Sequence, residues 1–179
     1  MHLDQRGFSL LEMLLAMAVG AVLMVSVGRF LPLLLDHTLR LQQRVQLQQE
    51  LQQLAHTLQK ALQRAGYCRG TCSGPALQLA SGGACVLLRW DENSNGRWEG
   101  VAHSESEWYG YRLREGQIEM QRGVENCAGG GWERLTDGAF LTVETFRVVR
   151  QGTRLTVYLA ASAGRQRVAL EHWVQGMNL

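Results

Sequence analysis

Between Phe8 and Leu35 polar side chains almost vanish from the chain. Met13 to Gly28 are sixteen consecutive uncharged, mostly apolar positions; Phe8 to Leu11 extend the run upstream, and Phe30 to Leu35 continue it past Arg29. As a helix, residues 8–28 span roughly 31 Å at about 1.5 Å per residue, close to the thickness of a bilayer core. The apolar region of a secretory signal is shorter and ends at a small-residue cleavage site, and only MHLDQRG precedes this run. The pattern therefore predicts a membrane-spanning helix. Beyond Pro32 it changes. Leu41, Val45, Leu47, Leu51, Leu54, Leu58, Leu62 and Ala65 recur mainly at three- and four-residue steps, with nine glutamines between 42 and 63. That spacing predicts a continuing amphipathic helix whose glutamine face is solvated. Pro32 is expected to bend it, Arg29 to reach toward the headgroups, and Gly66 to end it.

From Gly66 the chain switches to short alternating runs separated by turn residues. Residues 76–80 and 84–90 flank Ser81-Gly82-Gly83 as a hairpin, and further strands are expected at 107–114, 117–121, 140–150, 153–161 and 165–174, with turns at Gln151-Gly152 and Gly164. A long helix followed by a series of strands is an α+β arrangement. The apolar stripe of the second half of the helix needs a cover, and only the strands of residues 67–179 can supply it.

Composition sharpens the division. Residues 1–65 hold three of the 20 glycines, and residues 66–179 hold all four cysteines. The formal net charge is only +2, which argues against generic binding to a phosphate backbone. Arg147, Arg150, Arg154, Arg165 and Arg167 gather in the last strands against Glu144, and a solvated sheet face accounts for them. The five tryptophans are read as core or loop anchors. The five histidines are scattered, and no nucleophile elbow, phosphate loop or zinc-protease motif occurs; an enzyme is not expected.

Cys68, Cys72, Cys85 and Cys127 lack the paired C-x2-C spacing of a zinc ribbon. With the N-terminus of the helix inside the cytoplasmic membrane, this half lies in the periplasm, where disulfides persist. Three connectivities are possible. Cys68–Cys72 with Cys85–Cys127 is preferred, because the hairpin sets Cys85 apart from the first two. Asp91, Asn93 and Asn95, followed by Gly96, match the first half of a Ca²⁺ loop, with Glu99 or Glu105 as a substitute for the missing bidentate acid. Ca²⁺ is the one cofactor the sequence suggests, against the alternative of a plain turn-rich loop.

One residue does not suit a plain anchor: Glu12, inside the apolar run with no basic residue of the span near it. A carboxylate in a membrane helix normally implies a partner. Arg6-Gly7-Phe8-Ser9-Leu10-Leu11-Glu12 followed by an apolar stretch resembles the class III signal of type IV pilins and pseudopilins. The resemblance implies cleavage by prepilin peptidase between Gly7 and Phe8, N-methylation of Phe8, and pairing of Glu12 with the N-terminal amine of a neighbouring subunit during assembly. Ala65-Gly66-Tyr67-Cys68, the loop from Asp91 to Gly96, Gly131-Trp132 and Phe146-Arg147-Val148-Val149-Arg150 are similar to the enterobacterial prepilin peptidase-dependent protein B family, related to the J-type minor pseudopilins of type II secretion.

The resemblance implies a type IV pilin fold: a leader (1–7), a transmembrane and assembly helix (8–35), an amphipathic helix (36–65) and a periplasmic β-rich head (66–179). It also implies a minor pilin that primes pilus assembly with other minor pilins and a major pilin, held as a single pass in the inner membrane before reaching the tip or base of a pilus. The alternatives are a J-type pseudopilin of a secretion system and a tip adhesin or DNA-uptake pilin; no nucleic-acid partner is expected.

Overall fold

The computed structural model describes residues 9–179, so Gly7 and Phe8 lie outside the described residues. The chain divides into two compact units, residues 1–42 and 43–179. Helix α1 (Leu10–Arg64) supplies all the described secondary structure of the first and opens the second.

In the first unit α1 is apolar and solvent-facing from Leu10 to Leu35, and its helical assignment continues through Pro32. The hydroxyl of this stretch is satisfied within the helix. Ser26 Oγ donates to the Val22 carbonyl at 2.9 Å, the arrangement a hydroxyl needs where water is absent. Among the described residues the first ion pair along the helix, Asp36–Arg40 at 2.7 Å, falls just after the apolar stretch ends.

In the second unit α1 buries Leu47, Leu51, Leu54, Ala55, Leu58, Ala61 and Leu62, one stripe at three- and four-residue spacing. Leu41 and Val45, placed by the sequence in the same stripe, are 63% and 53% exposed. Their period continues the stripe, but it reaches the core only from Leu47 onward. The helix stops at Arg64, and Gly66 follows at φ +86° with its N–H donating to the Arg89 carbonyl at 2.8 Å. Only glycine takes that left-handed turn cheaply, and a Cβ there would collide with the Asn178 carbonyl oxygen.

The strands form two antiparallel sheets. The first has the order β1 (Leu77–Ala80), β2 (Cys85–Arg89), β3 (Trp108–Arg114), β4 (Gln117–Arg122) and β5 (Glu133–Arg134). The second is β6 (Thr142–Gln151), β7 (Arg154–Ala163) and β8 (Gln166–Gln175). The division comes at residues 135–141, where β5 ends after two residues and the chain turns back through Asp137. At the β3–β4 turn the two sheets are joined by a backbone bond, the Val143 N–H donating to the Gly116 carbonyl at 2.7 Å.

In β6 the buried residues Val143, Phe146 and Val148 break strict alternation, and a bulge between Val143 and Thr145 absorbs the extra residue. These side chains join Leu155, Val157, Leu159 and Ala161 of β7 and the α1 stripe in one buried cluster. The helix thus gains the cover that its period demanded.

Candidate functional site

Glu12 lies in the first turn of α1, where its N–H donates to the Ser9 carbonyl at 3.0 Å. Its neighbours on the helix are exposed apolar residues, and among the described residues it makes no ion pair. A carboxylate near a helix N-terminus is favoured by the helix dipole. In hydrocarbon that is not enough, because an unpaired carboxylate costs on the order of 2.5–3.5 kcal/mol near mid-membrane and less toward an end.

In the second unit Cys68 is bonded to Cys72, with Cα atoms 6.1 Å apart, and Cys85 to Cys127, 6.3 Å apart and 42 residues distant in sequence. The first closes a small loop immediately after the helix. The second fastens the irregular segment before β5 to the start of β2.

Asp91 is buried and organises the turn between these features. Its Oδ2 accepts N–H bonds from Arg69 and Gly96, and its Oδ1 accepts one from Asn95, all at 2.9 Å. Burial pushes its carboxyl up, but the backbone donors of Arg69, Gly96, Asn95 and Ser94 outweigh that and hold it below the ordinary carboxylate range. Asn93 Oδ1 accepts from the Asn95 N–H at 3.0 Å, Asn95 Oδ1 accepts from the Arg97 N–H at 2.9 Å, and Asn95 Nδ2 donates to Glu99 Oε1 at 2.6 Å. The structure therefore gathers Asp91, Asn93, Asn95 and Glu99 into one network in which the first three are committed to the backbone of the turn. Among the described residues no group of three or more His, Cys, Asp or Glu side chains is placed to hold a metal ion.

Sequence reasoning passed over three residues that build this end of the head. Glu107, fully buried, accepts the N–H groups of Glu92 at 2.6 Å and Asn93 at 3.3 Å through one oxygen. Arg89 is buried with its guanidinium 4.8 Å from the Trp98 ring centre and 4.4 Å from that of Trp108, and its Nε donates to the Pro75 carbonyl at 2.7 Å. Burial lowers its pKa from the ordinary arginine value. Arg112 pairs with Glu119 at 2.8 Å, donates to the carbonyls of Cys127 and Gly129, and lies 4.1 Å from the centre of Trp132. Of the five tryptophans, Trp90 is buried and stacks on Tyr109 at 3.7 Å; Trp98, Trp108 and Trp132 hold arginines. Trp173 is 65% exposed beside Arg154, and in the arginine-rich strands Arg167 pairs with Glu144.

Comparison with known proteins bears on both units. Residues 40–176 match the family described as "Prepilin peptidase-dependent protein B", and residues 3–28 match the "Prokaryotic N-terminal methylation motif". A relative named "Prepilin peptidase-dependent protein B" from Escherichia coli (strain K12) is 39% identical over 187 residues, covering 100% of both chains. No solved structure matches. An apolar N-terminal helix with its methylation motif, continued into two antiparallel sheets, is a pilin-like architecture, and the chain belongs to the prepilin peptidase-dependent protein B family.

Proposed function

We propose that this protein is a minor pilin that primes assembly of a type IV pilus, after prepilin peptidase cuts between Gly7 and Phe8 and methylates the new terminus. The observation that carries the reading is Glu12: one carboxylate in an otherwise apolar helix surface, with no ion-pair partner among the described residues. Cutting after Gly7 creates an ammonium group near the same membrane depth, five residues from the carboxylate counting Phe8 as the first. Pairing the Phe8 amine of one subunit with the glutamate of its neighbour relieves both charges only at one axial offset, so electrostatics sets the register of packing. The apolar helix holds the processed subunit in the inner membrane until then. The disulfide-braced head faces the periplasm and selects other minor pilins. The role is structural rather than catalytic.

The test is deletion of the protein, followed by electron microscopy of sheared filaments and assay of secreted proteins. Filament loss with normal secretion, restored by wild type and not by Glu12→Gln, supports pilus priming. Normal filaments with impaired secretion assign the protein to a secretion pseudopilus instead.

A further inference from the structure

The sheet of β6, β7 and β8 turns one face to the core and the other to solvent. Leu155, Val157, Leu159 and Ala161 of β7 lie on the buried face. On the other face the register sets Val149, Thr156 and Trp173 in one row across the three strands, and Arg147, Tyr158 and Glu171 in the next. Trp173 and Tyr158 are therefore diagonal neighbours, close enough for aromatic side chains to act together. Trp173 is 65% exposed and Tyr158 36%, so the largest apolar side chains of this face stand open to water.

Charge on the face is one-sided. From Phe140 to Leu179 the chain carries Arg147, Arg150, Arg154, Arg165 and Arg167 against only Glu144 and Glu171. Both acids are already engaged: Glu144 pairs with Arg167, and Glu171 Oε1 accepts the Trp173 indole N–H at 2.8 Å. Arg147 stands opposite Tyr158 in the register, and the Arg154 guanidinium lies 5.6 Å from the centre of the Trp173 ring. Both arginines are exposed, and neither makes an ion pair among the described residues.

Tryptophan, tyrosine and arginine gathered in one patch have the composition of a protein-binding hot spot. An unpaired guanidinium is matched best by a carboxylate, which it holds through two parallel hydrogen bonds. We infer that this face, centred on Trp173 and Tyr158 and flanked by Arg147 and Arg154, docks an acidic surface on the head of another pilin-like subunit. The inference rests on the proposed role in a minor pilin complex and names the surface that selects the partner. A nucleic acid suits the face less well. Tight binding to a phosphate backbone draws on roughly 6–10 contacts, whereas two arginines are free here and two glutamates stand among them.

A photoreactive amino acid placed at Thr156, between Val149 and Trp173 in the register, tests the contact in the full chain in its membrane. The control carries it at Arg134, exposed in β5 of the other sheet. Expected at 156, and absent at 134, is a product with a chain that mass spectrometry identifies by its N-methylated terminus, joined within a segment richer in acids than in bases. Arg147→Glu combined with Arg154→Glu lowers the yield at least tenfold, as does Trp173→Ala, and changing the contacted acids of the partner to arginine restores the doubly reversed variant. Should that variant fail to fold, Arg147→Gln and Arg154→Gln, each lowering the yield severalfold, decide the matter. No product at 156, a product only with lipid, nucleic acid or a second copy of this chain, or a yield indifferent to charge overturns the inference. Filament loss on deletion without a product at 156 refutes this surface and leaves pilus priming standing. A charge-sensitive product with a subunit of a secretion pseudopilus keeps the surface and overturns priming.

Discussion

Replacing Arg112 by methionine should be among the most damaging single changes in the head. The side chain is buried in β3, with its Nε 2.8 Å from Glu119 Oε2, one terminal nitrogen 2.7 Å from the Cys127 carbonyl and 3.2 Å from that of Gly129, and its guanidinium 4.1 Å from the Trp132 ring centre. Methionine fills much of the volume but supplies no donor. The carbonyls of Cys127 and Gly129 are near enough to the surface to recover water, so their loss is small. Glu119 is different: its side chain is 12% exposed and it would be left as an uncompensated charge.

Breaking a buried pair from one side costs about 3–5 kcal/mol, and the lost stacking on Trp132 adds about 0.5–1 kcal/mol. Most of this penalty belongs to the stranded carboxylate rather than to the contact. Glu119→Gln alone should therefore cost less, about 1–2 kcal/mol, and on that background Arg112→Met should cost at least about 2 kcal/mol less than it does alone. Urea unfolding of the full chain in micelles, followed by tryptophan fluorescence, measures all four corners of the cycle. A single-mutant cost below about 1 kcal/mol, or a double mutant additive to within about 0.5 kcal/mol, would refute the reasoning.

Two further predictions concern the same end of the head. Removing Cys85–Cys127 by double alanine substitution should destabilise by about 4 kcal/mol, and removing Cys68–Cys72 by about 2 kcal/mol, since the first closes the longer loop; equal losses in urea midpoints would contradict the chain-entropy account. Asp91 is held below the ordinary carboxylate range, so it binds fewer protons folded than unfolded. Its stabilisation is then complete above the ordinary carboxylate pKa and is lost as pH falls through the lower folded value. Acid unfolding of Asp91→Asn should show a shallower dependence on pH in that window, and an unchanged slope would count against the hydrogen-bonded turn.

What the sequence displays well is anything written in a single long period or a single odd residue. The apolar run with one carboxylate at Glu12 needs no tertiary context, and neither does the leucine stripe of α1. The strands were also legible from alternation and turn residues, apart from β5, whose two residues are a strand only because they pair with Glu119 and Met120. Division into two sheets was not, because it depends on where residues 135–141 turn rather than on any local propensity. The roles of Leu41 and Val45 were hidden for the opposite reason: their period continues the stripe, but only packing says where the stripe begins to be covered.

At the loop of residues 91–107, Asp91, Asn93 and Asn95 drew attention because their spacing imitates a cation loop, yet the same spacing serves a turn that satisfies its own N–H groups. Glu107 had a signal that went unused. In an alternating strand it shares a face with Tyr109 and Tyr111, both buried, and an acid on an inward face needs a donor or a cation. Arg112 falls on the other face with Gly110, where a Cβ would meet the Trp132 ring; that close approach is decided by the 127–132 loop and is invisible in β3 alone.

The most direct test of the central claim compares the mature N-terminus with assembly in the Glu12→Gln variant. Mass spectrometry of the purified chain should find it beginning at N-methylated Phe8 in wild type and variant alike, because cleavage does not use the Glu12 charge. Co-purification from detergent-solubilised membranes should then recover other pilin subunits with wild type and lose them, by at least tenfold, with Glu12→Gln. Recovery of the same partners in the same yield with the variant would contradict the assignment of Glu12 as the assembly carboxylate.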